Sequence, residues 1–194
     1  MVRNYKEVLY DNETLETERL ILRKFRKNDV ADILEYGSDP ETLKYLDWEG
    51  IETEGEAMES IVDYYWSNPG VYAICPKEEE KCIGCIDLRM DPDHEKAVPG
   101  YVLNRDYWGC GYMSEALDAV MALCFEKLEL NRVESCYYAG NEGSGRVMEK
   151  CGMKFEGVSK QGRKIKGIFQ DVVNYGVTKE DWISHKKSKI PLKT

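Results

Sequence analysis

The hydrophobic and polar positions of this chain change period several times, and each change predicts a different element. Residues 18–25 alternate apolar and polar side chains, as a half-buried strand does. Residues 115–128 instead place apolar side chains over a broad helical face, which predicts a well-buried helix. By the same criteria, further strands are predicted over residues 71–75, 82–90, 98–103, 132–138, 155–163 and 168–177.

Polar caps mark the other helices. Thr53 and Glu56 form a Thr-x-x-Glu capping box, which predicts a helix over residues 53–66. Shorter helices are predicted over residues 28–36 and 144–150. The resulting order, β-α-α-β-β-β-α-β-α-β-β, indicates an α/β domain with a mostly antiparallel sheet flanked by helices.

Length and composition set the expected class of protein. We expect a single domain over residues 1–194, with a core at about 16–182 and a frayed basic tail at 184–194. No apolar run is long enough to cross a bilayer, and the first residues lack the apolar core of a signal peptide. A cytoplasmic protein without membrane contact is therefore expected. The net charge of −9 argues against nucleic-acid partners, which need a basic surface.

Cysteine usage agrees with a reducing compartment. The seven cysteines are an odd number in a chain without a secretion signal, so we expect reduced, structural thiols. Cys82 and Cys85 match C-x-x-C, but no second pair follows and His94 and His185 lack ligand spacing. Residues three apart on a strand face opposite sides. We therefore predict core cysteines and no metal site.

The turn Gly109-Cys110-Gly111 lies between a predicted strand and the best predicted helix. Glycines let backbone N–H groups approach a ligand, and a helix N-terminus adds the positive end of its dipole. Such a turn can hold a phosphate of a nucleotide-like cofactor, or the glycines can be plain turn residues. The Gly-Lys-Ser/Thr of a P-loop is absent, and a dinucleotide fingerprint would need Gly or Ala at Ser114.

Two longer motifs make the interpretation specific. The first is Tyr-Val-Leu-Asn-Arg-Asp-Tyr-Trp-Gly-Cys-Gly-Tyr-Met-Ser-Glu-Ala-Leu at 101–117. The second is Asn-Glu-Gly-Ser-Gly-Arg-Val-Met-Glu-Lys-Cys-Gly-Met at 141–153. In this order they resemble the GNAT acetyltransferase superfamily, specifically the branch that includes the ribosomal-protein alanine N-acetyltransferases. The resemblance covers about residues 16–182.

The resemblance implies acetyl-CoA as cosubstrate, bound in a V-shaped cleft between splayed strands at 98–103 and 132–138. Loop amides would hold the pyrophosphate, and strand backbone groups would pair with the pantetheine arm. Asn141 would contact the cofactor or only cap a helix. The implied cofactor-binding residues are Val102, Leu103, Gly109, Cys110, Gly111, Tyr112, Met113, Ser114 and Asn141.

The chain departs from the family pattern around this site. Asp106 replaces the usual Gln or Arg, and Cys110 stands where Lys, Arg or Gln is common. Gly143 and Gly145 stand where larger residues are usual, which either admits the cofactor closely or loosens the helix.

Two of the catalytic side chains that are usual in the family are replaced in this chain. The position of a proton-donating Tyr in many relatives is Met148 here, and Ser144 matches the serine proposed in this branch as general acid. Ser144 could equally be a helix-cap residue. The usual Glu base is Val98, followed by Pro99. The candidate substitutes are a water chain or Asp87, Glu134, Tyr138 and Asp171, of which Tyr138 is also a candidate catalytic residue.

The leading hypothesis is an acetyl-CoA-dependent N-acetyltransferase. It would acetylate a primary amine, on a protein N-terminus or a small molecule, by direct attack in a ternary complex. The alternative is a catalytically silent acyl-CoA-binding or sensing module. The resemblance also suggests a homodimer. Acceptor specificity is assigned to the 39–66 segment and the last strand pair. Four aromatic residues there could line the acceptor pocket or fill the core: Trp48, Tyr64, Tyr65 and Trp66.

Overall fold

Eight strands form one sheet in the computed structural model, which describes residues 4–189. The strands are β1 (Thr14–Glu16), β2 (Leu20–Arg23), β3 (Val71–Pro76), β4 (Gly84–Asp91), β5 (Lys96–Leu103), β6 (Arg132–Tyr138), β7 (Lys154–Ile165) and β8 (Ile168–Thr178). The α-helices are α1 (Tyr5–Asp11), α2 (Val30–Gly37), α3 (Pro40–Leu43), α4 (Glu54–Glu59), α5 (Tyr112–Ala122), α6 (Glu142–Lys150) and α7 (Lys179–Lys189). The sheet order is β1-β2-β3-β4-β5-β6-β8-β7. The predicted mixed, mostly antiparallel sheet is confirmed.

The parallel pair of the sheet, β5 with β6, separates almost at once. Lys96 pairs with Arg132 and Ala97 with Val133, and along the described strands the register ends there. Both strands continue for several residues beyond this point. They therefore open the predicted V in the middle of the sheet.

Pro99 explains where the strands separate. Asn104 N–H donates to Ile83 O at 2.8 Å, so the even-numbered backbone groups at the end of β5 face β4. By alternation, the odd-numbered groups face β6. Pro99 is the next such position after the last paired residue, and it has no N–H to donate. Its carbonyl instead accepts the Ser135 hydroxyl at 2.9 Å.

The sheet separates two hydrophobic cores, and β3 contributes to both. Tyr72 and Ile74 belong to the larger core, which α5 covers as its broad apolar face predicts. Ala73 and Cys75 belong to the second core, which α2 and α4 cover. Successive side chains of β3 thus point to opposite faces and are all buried.

Both long predicted helices end in π-helical turns. α4 continues as Ser60–Tyr65 and α5 as Leu123–Lys127. The predicted cap of α4 is confirmed, because Thr53 Oγ1 accepts the Glu56 N–H at 3.2 Å. The Glu56 carboxylate reaches back one residue further than in a standard capping box, to the N–H of Glu52.

Four elements go beyond the sequence prediction: α1, β1, α3 and α7. α7 corrects the expected frayed tail, because residues 184–189 continue this helix. Trp182 anchors it, buried against Phe125 with 5.1 Å between ring centroids. Residues 190–194 lie outside the described part. Within residues 4–189, every helix is too short or too polar to span a membrane.

The C-x-x-C pair lies in the core, as predicted, but on one face. Cys82 precedes β4 rather than lying within it, so it and Cys85 both join the second core. Burial raises the pKa of both thiols. Within residues 4–189, no three His, Cys, Asp or Glu side chains are grouped as metal ligands.

Candidate active site

The loop between β5 and α5 has the geometry of an anion cradle. Gly109 and Gly111 adopt φ angles of 78° and 82°, a region that favours glycine. A Cβ on Gly109 would meet no atom within 4 Å, so the loop is open there. The first helical bond runs from Glu115 N–H to Gly111 O, which leaves the preceding N–H groups without an intrahelical acceptor. These groups belong to the predicted residues Tyr112, Met113 and Ser114.

Arg19 and Glu115 clamp this loop to the turn between β1 and β2. Arg19 Nη1 donates to Cys110 O at 3.0 Å, and its Nε donates to Glu115 Oε2 at 2.7 Å. Glu115 also accepts the Arg19 N–H and the Thr17 hydroxyl. Burial alone would raise the pKa of Glu115, but these hydrogen bonds outweigh it and lower the pKa. The sequence analysis did not identify this clamp.

We expect Glu115→Gln and Arg19→Met each to raise the KM for acetyl-CoA about 10-fold with little change in kcat. Arg19→Met removes the donor to the Cys110 carbonyl, and Glu115→Gln weakens the ion pair that orients this donor. In either variant the N–H groups of the loop lose their common orientation. Steady-state kinetics with varied acetyl-CoA measures this split. Glu126→Gln, an exposed carboxylate on the π-helical end of the same helix, is the matched control. An unchanged KM in both clamp variants would contradict the prediction.

A cleft of about 440 Å³, the cofactor-side cavity, runs from the loop along β5 to α6. Most of the predicted cofactor residues line it: Val102, Leu103, Gly109, Gly111, Tyr112, Met113, Ser114 and Asn141. Cys110 lies in the loop between them, with an exposed side chain and its carbonyl held by Arg19.

The backbone of β5 refines the expectation for the pantetheine arm. Because odd-numbered groups face β6, the N–H and C=O of Tyr101 and Leu103 point into the gap. Leu103 O accepts the Trp108 indole N–H at 2.8 Å. The expectation for Val102 changes, because Val102 lines the cavity but its backbone N–H and C=O face β4.

Two cations that the sequence analysis missed also line the cofactor-side cavity. Arg146 and Lys150 are four residues apart on α6 and therefore share one helix face. Their spacing after the helix cap Asn141 is the signal that could have identified them. They supply positive charge at a site where Cys110 replaces the more common Lys, Arg or Gln.

Asn141 and Ser144 occupy the start of α6. Asn141 is the cap, since its Oδ1 accepts the Ser144 N–H at 3.4 Å. Ser144 is therefore not the cap residue, and its hydroxyl lies 2.7 Å from Tyr101 OH. Burial raises the pKa of Tyr101, so its phenol stays protonated. Gly145 is required by packing, because a Cβ there would lie 2.8 Å from the Tyr137 ring.

A second cleft of about 570 Å³, the acceptor-side cavity, opens on the other side of the V. Three of the four aromatic candidates line it: Trp48, Tyr64 and Tyr65. Trp66 does not, and its indole donates to Phe25 O. The two cavities share six lining residues: Tyr45, Leu46, Tyr101, Val102, Asn141 and Ser144.

Asp87 is the carboxylate of the acceptor-side cavity closest to the opened strands. It pairs in register with Gly100, and a Cβ on Gly100 would overlap Asp87 Oδ1. The missing side chain at Gly100 therefore makes room for this carboxylate. Asp87 Oδ2 accepts the Tyr64 hydroxyl at 2.7 Å and lies 3.7 Å from Arg89 Nε. Burial and this hydrogen bond raise the pKa of Tyr64.

The other base candidates are placed differently. Glu134 lies outside both cavities and pairs with Lys96 and Arg132. Burial alone would raise the pKa of Glu134, but these two ion pairs outweigh it and lower the pKa. Asp171 accepts the N–H of Gln161 in the hairpin. The phenol of Tyr138 lines the acceptor-side cavity.

Val98 and Met148 occupy the two positions at which many relatives carry a catalytic group. Val98 lines the acceptor-side cavity, where many relatives carry a glutamate. Met148 is buried in the larger core and does not face either cavity. Neither position can exchange a proton, so the chemistry falls to other side chains.

Comparisons with known proteins agree with this fold and cleft. A model of the acetyltransferase (GNAT) domain matches residues 19–154. The chain therefore belongs to the GNAT acetyltransferase family. An uncharacterised N-acetyltransferase, p20 of Bacillus licheniformis, is 31% identical over 175 residues, which are 88% of this chain and 98% of that protein.

Solved structures place the chain among the same enzymes. A GNAT-family acetyltransferase from Bacillus anthracis superposes with a TM-score of 0.79 at 29% identity, over 86% of this chain and 99% of that one. RimL, a ribosomal L7/L12 alpha-N-protein acetyltransferase, superposes with a TM-score of 0.74 at 21% identity, over 86% of this chain and 94% of RimL. At that identity the likeness to RimL shows the fold alone.

Proposed function

We propose that this chain is an acetyl-CoA-dependent N-acetyltransferase that acetylates a primary amine by direct attack in a ternary complex. The observation that carries the proposal is the meeting of two cavities at the opened strands. One holds the anion cradle and the other a carboxylate among aromatic rings. An acyl donor and an amine entering from opposite sides would meet at Tyr101 and Ser144.

The residues present fit the cofactor. The N–H groups at the start of α5, with Arg146 and Lys150, would hold its phosphates. The gap-facing backbone of Tyr101 and Leu103 would pair with its amide-containing arm. When bound, acetyl-CoA supplies the acetyl group as a thioester.

Asp87 is the residue we assign to the amine. A primary amine enters protonated and must lose a proton before it can attack. Asp87 Oδ1 and Arg89 Nη2 lie side by side over Gly100. From there Asp87 can first pair with the ammonium and then accept its proton, directly or through water. Aromatic rings around this carboxylate also favour a cation. The N–H of Leu103 faces the gap and can stabilise the developing oxyanion.

Ser144 is the residue we assign to the departing thiolate. Its hydroxyl lies between both cavities and contacts Tyr101 OH. Tyr101 OH also donates to Ser144 O at 3.1 Å, which orients the pair. The serine hydroxyl can turn to the sulfur and donate a hydrogen bond there, or pass it a proton that the serine oxygen regains from water.

Release of free CoA thiol from acetyl-CoA, with a panel of amines and N-terminal peptides, tests this function. Amine-dependent release supports an N-acetyltransferase and identifies its acceptor class. Tight acetyl-CoA binding without release for any amine would favour the silent acyl-CoA-binding module instead. Failure to bind CoA would overturn the proposed function.

Ser144→Ala is expected to lower kcat by about 10- to 100-fold and to leave the Kd for acetyl-CoA within about 3-fold. The reason is that the hydroxyl acts on the leaving sulfur and contributes little to ground-state binding. Single-turnover kinetics and calorimetry measure the two quantities separately. Ser144→Thr keeps a hydroxyl and is the conservative control. Wild-type turnover in Ser144→Ala would assign the hydroxyl a purely structural role.

A further inference from the structure

The β7–β8 hairpin brings a guanidinium to the acceptor-side cavity that the proposed reaction does not use. Arg163 of β7 lines this cavity and lies against the phenol of Tyr138. A guanidinium stays protonated in proteins, so Arg163 is a permanent cation, and the contact with Tyr138 raises its pKa further. The hairpin tip also reaches the last residue of α3, where Lys166 Nζ donates to Leu43 O at 3.1 Å.

An irregularity of β7 places this side chain. Ser159 pairs with Val172 and Arg163 with Gln170, so three residues of β7 bulge opposite one residue of β8. Gln161, inside the bulge, has a φ of 51°, and its N–H is held by Asp171 Oδ1 at 2.7 Å.

Gly162 is the second constraint within the bulge. A Cβ on Gly162 would lie 2.9 Å from Ser159 O, so a larger residue does not fit there. Bulges beside active sites commonly redirect a side chain, and strained backbone persists where its surroundings hold it. Because the bulge adds two residues to β7, it moves Arg163 by two register positions and leaves it on the face of the hairpin that carries buried Val172 and Ile165.

The charges of the acceptor-side cavity leave Arg163 available. Four charged residues line it: Asp47, Asp87, Arg89 and Arg163. Arg89 is paired with Asp87. Arg163 forms no ion pair with any residue from 4 to 189, and the exposed Asp47 acts on it only through space.

We propose that Arg163 binds a carboxylate of the acceptor, so that the substrate is an amine bearing an acidic group. This inference rests on the proposed function, which places the amine at Asp87. A guanidinium is suited to a carboxylate because its planar N–H fork matches two oxygens. The cavity then has Asp87 for the amine of the acceptor and Arg163 for its carboxylate.

The distance between Asp87 and Arg163 favours an acceptor whose carboxylate lies several bonds from its amine. Asp87 on β4 and Arg163 on β7 are four strands apart, about 19 Å between backbones at ~4.8 Å per strand, and the V between β5 and β6 adds to this. Both side chains shorten the gap. An acidic residue near a polypeptide N-terminus spans such a gap better than a free α-amino acid.

Matched acceptors test the proposal with the intact protein. One arm compares the peptide amides Ala-Glu-Ala-Ala and Ala-Ala-Glu-Ala with their Gln counterparts. The second arm compares phenylalanine with phenethylamine. We expect kcat/KM to be about 10- to 100-fold higher for the Glu peptides than for the Gln peptides, and Arg163→Met to abolish that preference. A preference confined to the second arm would keep the carboxylate subsite and assign it to a free amino acid.

Lys164→Met is the matched control. Lys164 is the neighbouring cation on the opposite face of β7, 5.7 Å from the Phe169 ring, and does not line the cavity. Its loss should leave the acid preference intact, while Arg163→Lys should keep part of it. Equal rates for acidic and neutral acceptors, or an acid preference that survives Arg163→Met, would overturn the carboxylate subsite while the N-acetyltransferase function stands. Absence of turnover with every amine would instead defeat the proposed function and this inference with it.

Discussion

Replacing Gly111 by aspartate is expected to weaken acetyl-CoA binding at least about 100-fold. The new carboxylate would stand where we place the pyrophosphate, and like charges about 4 Å apart near a protein surface repel by about 4 kcal/mol. It would also lie beside Arg19, since a Cβ at this position falls 3.5 Å from Arg19 Nη2. The guanidinium would then be drawn from the Cys110 carbonyl. Calorimetric titration with acetyl-CoA measures the loss without knowledge of the acceptor.

Gly111→Asn separates charge from shape in this experiment. Asparagine and aspartate have nearly the same volume, and both tolerate the left-handed backbone found at Gly111 better than other side chains. We expect the asparagine variant to lose much less affinity than the aspartate variant. Similar melting temperatures of the two variants would show that both fold. Unchanged affinity in Gly111→Asp would refute the anion cradle.

Asp87→Asn is expected to lower kcat by about 100- to 1,000-fold while the Kd for acetyl-CoA stays the same. Asparagine keeps the volume and can still accept the Tyr64 hydroxyl, but it cannot take a proton from the amine. The difference in kcat between Asp87→Asn and the wild type should shrink as the pH rises toward the pKa of the acceptor amine, because a neutral amine needs no base. A pH profile of kcat for both proteins measures this convergence.

Asp91→Asn is the control for that profile. Asp91 lies on the same strand, 3.8 Å from Lys96, and does not line the acceptor-side cavity. It should retain wild-type turnover at every pH. A constant deficit of Asp87→Asn across the pH range would leave Asp87 with an orienting role, and full activity would remove it from the mechanism.

The sequence by itself determined the elements that depend on local pattern and the position of the glycine turn between β5 and α5. The broad apolar face of α5, the Thr53 cap and the two glycines at 109 and 111 each act within a few residues. Periodicity and turn chemistry therefore reveal them. The short elements α1, β1 and α3 could not be predicted in this way. Helices and strands this short are not stable alone and form only because they pack against the sheet.

The tertiary structure alone decided which side chains share a site. Asp87 and Gly100 are 13 positions apart in the chain but neighbours in register, and Arg19 reaches Glu115 across 96 positions. The position of Arg163 depends on a bulge that no pattern in β7 announces. Local sequence carries propensity, whereas proximity between distant residues comes from strand pairing and packing. The glycine turn that we propose for the cofactor could thus be located from the sequence, and the groups proposed to handle the amine could not.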